Sequence, residues 1–332
     1  MKAIYMTSQK NQFQRVYPNY IREKIENLFE VKKGLFDKKS IEKNEKITAD
    51  IDCIFTTWGM EHFTKDEIKK YFPKLKYVFY SAGSVQHFAK EFLESGVRVY
   101  SAFMANAVPV AEYTTAQILL SAKGYFQAEK KSKLNYYGAS KFSDKCGGLY
   151  NTKVGIVGVG AIGSMVAENL KNFNVDVYYY DPFLSSEKAE SLCIKSKTLE
   201  EIFTECDVIT NHLANKECLE GVYNYRLFEK MKPYATFINT GRGKQVVEKD
   251  LIKALKKVKT RTALLDVTIK EPCTIFNRLR RMKNVFITPH IAGSNGREVE
   301  RMAEYMLEDA KRLQKGEKAR YEVTIEMLKT MA

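Results

Sequence analysis

The sequence predicts an α/β protein of two domains, each built on a parallel sheet with flanking helices. Its 332 residues exceed what one compact core usually holds. Hydrophobic residues make up 45% and charged residues 28%, as in folded globular chains. Strand-like and helix-like segments alternate along two stretches of the chain, and strands that alternate with helices form parallel sheets.

A long predicted helix separates the two alternating stretches. In the first, the pattern predicts strands and helices over Lys2–Met6, Ile21–Phe29, Cys53–Thr57, Lys65–Phe72, Tyr77–Ser81 and Val97–Tyr100. A helix over Pro109–Ala122 follows, and residues 125–150 show no clear periodicity. In the second, the predicted strands are Val154–Val157, Val175–Tyr180, Val208–Thr210, Thr236–Asn239, Ala263–Leu265 and Val285–Thr288, and a helix over Glu298–Lys315 ends the pattern.

Charge and composition exclude several classes of protein. The net charge is +14, but the lysines are spread along the chain with acids interleaved, which favours a solvated surface that helps attract anionic substrates. We therefore expect no nucleic-acid or membrane partner. No apolar run reaches the roughly 18 residues of a membrane span, and the N-terminus lacks a secretory segment, so we expect a cytoplasmic protein. The six cysteines form no C-x-x-C pair and the four histidines are dispersed, so we expect no metal site.

A glycine loop follows the first strand of the second stretch and precedes a predicted helix over residues 164–172. Gly158 permits a tight turn, Gly160 lets the backbone approach a pyrophosphate, and Gly163 lets helix and strand pack closely. The intervening Ala161 and Ile162 present helix N-terminal N–H groups to phosphates. The next strand ends at Asp181, at about the spacing expected for a ribose ligand, so the pattern predicts NAD binding in preference to NADP.

Three chemically active residues follow later strands. Arg242, Glu271 and His290 lie where the carboxyl ends of parallel strands form a ligand crevice. Arginine can hold a carboxylate with its planar fork, and histidine can deliver a proton near neutral pH. A carboxylate beside the imidazole favours the proton-donating form. Each residue alone is more often structural, but their joint placement indicates reduction of a 2-oxo acid.

These motifs resemble the D-isomer-specific 2-hydroxyacid dehydrogenases. The resemblance covers most of the chain and is carried by Val154–Gly163, Tyr180–Pro182, Met231–Pro233, Ile238–Gly243, Leu265–Val267, Glu271–Pro272 and Thr288–Gly293. It implies that Arg242, Glu271 and His290 are catalytic and that Asp266 contacts the nicotinamide carboxamide. It also implies that Thr240 and Gly241 line the cofactor and that backbone N–H groups of Gly83, Ser84 and Val85 bind the substrate carboxylate.

The resemblance also implies an inserted domain. Residues 106–292 would form a Rossmann-type NAD-binding domain, inserted into a flavodoxin-like substrate domain of residues 1–105 and 293–332, with the active site in the crevice between them. Family members typically dimerise through the nucleotide domain, so we expect a homodimer. The partner of the enzyme is then a small anionic 2-oxo or 2-hydroxy acid.

Two positions depart from the family pattern, and several alternatives stay open. Ala214 stands where the family usually has proline, which affects the adenosine contacts, and Gly241 stands where it usually has alanine. Relatives of the formate dehydrogenase type have glutamine where Glu271 stands, which disfavours that activity. A short phosphoglycerate dehydrogenase, an NAD-sensing corepressor-like protein and a nucleic-acid-binding role remain alternatives. The sequence does not identify the oxo acid or the role of Trp58.

Overall fold

The computed structural model describes residues 1–329 and contains two sheets flanked by helices. The strands are β1 (Lys2–Met6), β2 (Glu30–Phe36), β3 (Cys53–Thr56), β4 (Tyr77–Tyr80), β5 (Arg98–Ser101), β6 (Thr152–Val157), β7 (Val175–Tyr180), β8 (Lys195–Ser196), β9 (Val208–Asn211), β10 (Thr236–Asn239), β11 (Thr262–Leu265), β12 (Val285–Ile287) and β13 (Glu322–Val323). The α-helices are α1 (Lys10–Val16), α2 (Asn19–Glu26), α3 (Lys38–Lys43), α4 (Lys65–Tyr71), α5 (Ala89–Glu94), α6 (Phe103–Ala122), α7 (Tyr125–Ser132), α8 (Tyr136–Asp144), α9 (Ala161–Leu170), α10 (Ser186–Leu192), α11 (Leu199–Glu205), α12 (Tyr225–Phe228), α13 (Glu248–Lys257) and α14 (Glu298–Gln314).

The chain divides into two compact units. Unit 1 comprises residues 1–107 with the described part of 294–332, and unit 2 comprises residues 108–293. The sheet of unit 1 has the order β13-β5-β4-β3-β1-β2, in which only β13 runs antiparallel. Without β13, this is the order 2-1-3-4-5 of flavodoxin-like sheets. The order in which strands are added to the sheet reverses between β1 and β3, so the loops after these two strands are neighbours.

Unit 2 is organised around a fully parallel sheet with the order β12-β11-β10-β9-β6-β7-β8. The chain leaves β6 toward β7 and returns to its other side at β9, which makes a topological switch point next to β6. Ligands of open α/β sheets bind at the carboxyl ends of strands at such a point. The two sheets confirm the predicted α/β class.

Buried residues of the unit 2 strands alternate between two hydrophobic clusters, one on each face of the sheet. Phe237 and Leu265 pack in one cluster, and their neighbours Ile238 and Leu264 pack in the other. This alternation follows from the pleat of a strand. Because both faces are covered, the central strands are nearly continuous apolar runs. The sequence pattern located six of the seven strands, and it missed the two-residue edge strand β8, whose residues are both exposed.

Three segments differ from the sequence expectation. Helix α6 begins at Phe103, six residues before the predicted start, and contains Pro109 in its interior. Residues 125–150, which show no periodicity, form the short helices α7 and α8, whose buried residues are only Gln127, Ala139 and Phe142. With so few buried positions, no apolar stripe develops. The edge strand β2 was not predicted, because its sequence contains lysines and a glycine and its side chains are partly exposed.

Within residues 1–329, none of the helices is both long enough and apolar enough to cross a membrane.

Phe237 anchors the larger aromatic group of unit 2, and its removal should destabilise that unit. Its ring lies 6.0 Å from Phe203, 5.3 Å from Tyr223 and 5.2 Å from Phe228 between centroids. We expect Phe237→Ala to lower the stability of unit 2 by about 3–5 kcal/mol, because it leaves a cavity. The matched control Phe183→Ala removes a ring that is 92% exposed and should change stability by less than about 0.5 kcal/mol. Equal urea midpoints for both variants by circular dichroism would contradict this packing.

Candidate functional site

The glycine loop joins β6 to α9. Two of its glycines are in close contact with neighbouring backbone, and the third faces open space. Gly158 has a φ of +89°, and a Cβ there would lie 2.8 Å from the carbonyl of His212. A Cβ on Gly163 would overlap the carbonyl oxygen of Gly158. Above Gly160, in contrast, nothing lies within 4 Å of a Cβ position, and no side chain caps α9. The N-terminus of α9 is therefore open to a phosphate group.

Asp181 ties the end of β7 to this loop. Its Oδ2 accepts a hydrogen bond of 2.7 Å from Val159 N, and its Oδ1 accepts one of 2.9 Å from Phe183 N. The carboxylate is half-buried, and each oxygen retains a lone pair. Each oxygen can therefore accept a further hydrogen bond, and binding of the cofactor ribose by Asp181 stays a prediction. The glycine loop, α9 and Asp181 together fit a dinucleotide.

His212, the first residue of the loop after β9, contributes no positive charge to this region. Desolvation lowers the pKa of His212 to about 3, so its imidazole is neutral at physiological pH. Its Nε2 lies 3.0 Å from the hydroxyl of Thr210. His212 therefore offers no positive charge to a phosphate at the glycine loop.

Arg242 follows β10 and has no carboxylate partner among the residues that the structure describes. Its Nη1 donates a 2.9 Å hydrogen bond to the carbonyl of Gly241, and among residues 1–329 it forms no ion pair within 4 Å. Desolvation of the guanidinium lowers the pKa of Arg242 below its ordinary value, and the nearby charge of Glu271 opposes this shift. Even so, an arginine keeps its charge at neutral pH. A desolvated cation of this kind favours the binding of an anion.

The loop that carries Arg242 is held by Asn239. The Oδ1 of Asn239 accepts from Gly241 N at 3.0 Å, and its Nδ2 donates to the carbonyl of Arg242 at 3.2 Å. The hydroxyl of Thr240, between them, lies 3.2 Å from that of Thr114 on α6. A short asparagine side chain thus fixes the backbone on both sides of its own loop, as such residues commonly do.

Asp266 organises the segment that contains His290. This carboxylate is only 2% exposed. Its Oδ1 accepts from the Thr288 hydroxyl at 2.6 Å and from Ile291 N at 2.9 Å, and its Oδ2 accepts from Ala292 N at 2.9 Å. Both oxygens are therefore engaged by residues 288–292. The contact of Asp266 with a nicotinamide carboxamide stays a prediction.

His290 and Glu271 form a hydrogen-bonded pair. His290 adopts a φ of 55°, in the left-handed region that few non-glycine residues occupy, and its own N–H donates to the carbonyl of Asp266 at 3.0 Å. Its Nδ1 lies 2.8 Å from Glu271 Oε2. The other oxygen of Glu271 accepts from Thr268 N at 3.3 Å. No residue that the structure describes bonds to His290 Nε2, which leaves this nitrogen available for proton transfer.

Close packing brings this pair toward the arginine loop. A Cβ on Gly243, the residue after Arg242, would overlap the carbonyl of Thr268. The two loops after β10 and β11 therefore touch at their backbones, and only glycine permits that approach. Sequence analysis predicted Arg242, Glu271 and His290 at strand ends, and the structure places all three in this one region of unit 2.

The predicted carboxylate-binding loop lies in unit 1, after β4. The Ser101 hydroxyl donates to the carbonyls of Ala82 at 2.9 Å and Gly83 at 2.8 Å, which turns these oxygens inward. The N–H groups of Gly83, Ser84 and Val85 donate to no acceptor within the described part of the chain. Consecutive unpaired N–H groups form a concavity suited to an anion. Binding of a substrate carboxylate here remains a prediction.

Comparison with known proteins gives a family. The model of the D-isomer specific 2-hydroxyacid dehydrogenase NAD-binding domain matches residues 115–292, more than half of the chain. The D-3-phosphoglycerate dehydrogenase of Methanocaldococcus jannaschii is 30% identical over 292 residues, 87% of this chain and 54% of that protein. That of Archaeoglobus fulgidus is 34% identical over 201 residues, 60% of this chain and 38% of that protein. The chain thus spans about half the length, or less, of these relatives.

A solved structure supports the fold. The phosphoglycerate oxidoreductase from Rhizobium etli superimposes with a TM-score of 0.81, covering 98% of this chain and 99% of that one, at 20% sequence identity. The match to the NAD-binding domain confirms the predicted cofactor. The open N-terminus of α9 is compatible with that cofactor, and the individual contacts of the glycine loop and Asp181 stay predictions.

The glycines of the loop should separate folding from NADH binding. We expect Gly163→Ala to lower the melting temperature, because its Cβ meets the backbone of Gly158, which cannot yield. Gly160→Ala should leave the melting temperature unchanged but weaken NADH binding by about tenfold, or roughly 1.4 kcal/mol, because its methyl group occupies the approach of the pyrophosphate. Fluorescence titration with NADH and thermal unfolding measure both effects. Unaltered NADH binding by Gly160→Ala would show that the phosphates lie elsewhere.

Proposed function

The chain belongs to the D-isomer-specific 2-hydroxyacid dehydrogenase family, and on this premise we propose that it transfers a hydride between NAD(H) and a small D-2-hydroxy acid or 2-oxo acid. The observation that carries the proposal is the 2.8 Å contact of His290 Nδ1 with Glu271, which leaves Nε2 unpaired among the described residues. A histidine held in this way is oriented for general acid–base chemistry. The neighbouring Arg242 supplies the cation that an oxo acid needs.

NAD(H), when bound, supplies or accepts the hydride at nicotinamide C4. In this proposal the N-terminus of α9 and the backbone of Gly158, Gly160, Ala161, Ile162 and Gly163 hold the pyrophosphate. Asp181 accepts hydrogen bonds from the adenosine ribose and excludes a 2′-phosphate, which gives a preference for NADH over NADPH. Thr240, Gly241 and Asp266 line the nicotinamide end.

Arg242 orients the oxo acid. A guanidinium donates two parallel hydrogen bonds to a carboxylate, and it also polarises a neighbouring carbonyl. Desolvation makes an unpaired cation costly, so the free energy of binding an anion at Arg242 is favourable. For the backbone N–H groups of Gly83, Ser84 and Val85 in unit 1, the proposal is that they donate to a substrate carboxylate.

His290 donates the proton in reduction and accepts it in oxidation. In reduction, hydride addition to C2 of the oxo acid leaves an alkoxide, and the proton on His290 Nε2 moves to that oxygen to give the hydroxyl group. Glu271 holds the proton on Nδ1 and stabilises the imidazolium before transfer, as a carboxylate partner does in other acid–base pairs. In oxidation the same nitrogen takes the proton back.

The test of the proposed function is turnover by the His290→Asn variant. Asparagine tolerates the left-handed backbone at this position, so the loop should keep its shape. We expect NADH oxidation with a panel of glyoxylate, pyruvate, hydroxypyruvate and bulkier 2-oxo acids to fall by about 10²–10⁴-fold, the usual contribution of a general acid. NADPH serves as the parallel control in the wild type.

The dissociation constant for NADH separates two failures of this prediction. It should stay within about twofold of the wild-type value in His290→Asn, because that residue does not hold the nucleotide pyrophosphate. Near-normal turnover by the variant would refute the role of His290. NADH binding by the wild type with no oxo acid turned over would instead favour an NAD-sensing protein.

We also propose that the protein is a homodimer that associates through unit 2. Four large side chains around α7 and α8 are strongly exposed, Leu134 at 94%, Tyr136 at 74%, Tyr137 at 81% and Tyr150 at 78%. Clusters of exposed apolar side chains commonly mark protein–protein contacts. A second copy of the chain would cover them.

Sedimentation equilibrium tests the dimer. The wild type should have twice the chain mass of 38.2 kDa, and the double variant L134D/Y137D should have the single-chain mass, because buried like charges would oppose association. Phe183→Asp, which places the same charge on another exposed apolar residue of unit 2, is the control and should stay dimeric. A wild-type protein of 38.2 kDa would contradict the proposal.

A further inference from the structure

A buried group of polar side chains connects the loops that follow β9 and β10. Asn211 and Tyr223 are fully buried, and Gln245 is 2% exposed. Asn211 Oδ1 accepts from the Tyr223 hydroxyl at 2.7 Å and from Leu213 N at 3.0 Å. Its Nδ2 donates to Asn239 Oδ1 at 2.9 Å and to Gln245 Oε1 at 2.7 Å. Every hydrogen-bonding position of the Asn211 amide is therefore occupied.

Gln245 extends this group to the loop after β9. Its Nε2 donates to the carbonyl of Ala214 at 2.8 Å and to that of Leu213 at 3.3 Å. Backbone bonds from Tyr223 N to the Gln245 carbonyl, 3.0 Å, and from Val247 N to the Tyr223 carbonyl, 2.9 Å, hold Gln245 itself. The amide thus fixes the backbone at Ala214, the position where the family usually has the more rigid proline.

The same group dictates the residue before Arg242. A Cβ on Gly241 would lie 2.7 Å from Asn211 Nδ2 and 3.3 Å from Gln245 Oε1. Gly241 does not have a positive φ, so its backbone conformation alone would accept alanine. The Asn211 amide cannot withdraw, because both of its N–H groups are engaged and the residue is fully buried. Glycine is therefore required at position 241 because a side chain there would clash with the Asn211 amide.

We propose that Asn211 and Gln245 are positioning residues. Their hydrogen bonds fix the backbone just before Arg242 and the backbone at Ala214 in one arrangement relative to each other. Asn211 acts through Asn239, whose amide bonds the backbone of both Gly241 and Arg242. The backbone positions of Gly241 and Ala214 therefore depend on the same buried pair of amide side chains. This inference rests on the proposed function, because Arg242 is the group whose placement matters to the substrate.

A double-mutant cycle between Asn211 and Gly241 tests the coupling. We expect Gly241→Ala alone to raise the KM for the oxo acid by about tenfold, because the added methyl group displaces the Arg242 loop, with a smaller change in kcat. In the Asn211→Ala background, where the obstructing amide is gone, the same Gly241→Ala substitution should change KM by less than about twofold. The difference between the two backgrounds is the measure of coupling.

A second readout keeps the test independent of turnover. Gln245→Leu removes the donors to the carbonyls of Leu213 and Ala214 and should raise the dissociation constant of NADH by about tenfold. Gln245→Glu keeps an acceptor for Asn211 but also loses both donors to the loop, so it should raise the dissociation constant equally. The Gly241→Ala cycle is repeated on the NADH dissociation constant and on the melting temperature. If the wild type reduced no oxo acid, the proposed function would fail while these two readouts still measured the coupling.

Two outcomes would overturn the inference. One is an effect of Gly241→Ala that is the same, within about twofold, with and without Asn211. The other is a set of Gln245 variants that lower the melting temperature but leave both the KM for the oxo acid and the NADH dissociation constant unchanged, since that result would make the amide group structural only.

Discussion

The buried carboxylate of Asp266 is the constraint on which the rest of the reactive region depends. Burying an ionised carboxylate is costly unless its oxygens receive hydrogen bonds. Asp266 obtains them from Thr288, Ile291 and Ala292, which fixes the turn after β12. This turn holds His290 in a left-handed conformation, with its Nδ1 hydrogen-bonded to Glu271. One buried carboxylate at the end of β11 thereby determines where the His290 imidazole lies.

Several loops of unit 2 are placed in the same way, by a polar side chain that hydrogen-bonds backbone groups of its own or an adjacent loop. Asp181 fixes the glycine loop, Asn239 fixes the backbone around Arg242, and Gln245 fixes the carbonyl at Ala214. These side chains lie at or just beyond the carboxyl ends of parallel strands, where backbone groups are no longer paired by the sheet. Loops held in this way present N–H groups and charged side chains in fixed positions, which is what binding an anionic nucleotide and an anionic acid requires.

The sequence allowed the strands and the strand-end residues of unit 2 to be predicted, because buried parallel strands are apolar runs and the chemistry follows their carboxyl ends. Glu271 and His290 could be named and expected side by side. The 2.8 Å distance and the choice of Nδ1 could not, since they depend on the turn held by Asp266. The clash between Asn211 and a side chain at position 241 was equally hidden. It joins residues 30 positions apart that meet only because β9 and β10 pair in the sheet. Edge strand β2 and helices α7 and α8 escaped prediction because they bury too few residues to create a period.

The most direct measurement is a crystal structure with NADH and oxamate, an unreactive isostere of pyruvate. We expect the oxamate carboxylate to bond the guanidinium of Arg242 and its carbonyl oxygen to lie about 2.6–3.2 Å from His290 Nε2, the range for proton transfer. We also expect Nδ1 of His290 to keep its hydrogen bond with Glu271. Oxamate bound away from Arg242, or a His290 ring turned from Glu271 with Nε2 facing solvent, would contradict the central claim that this pair carries the proton.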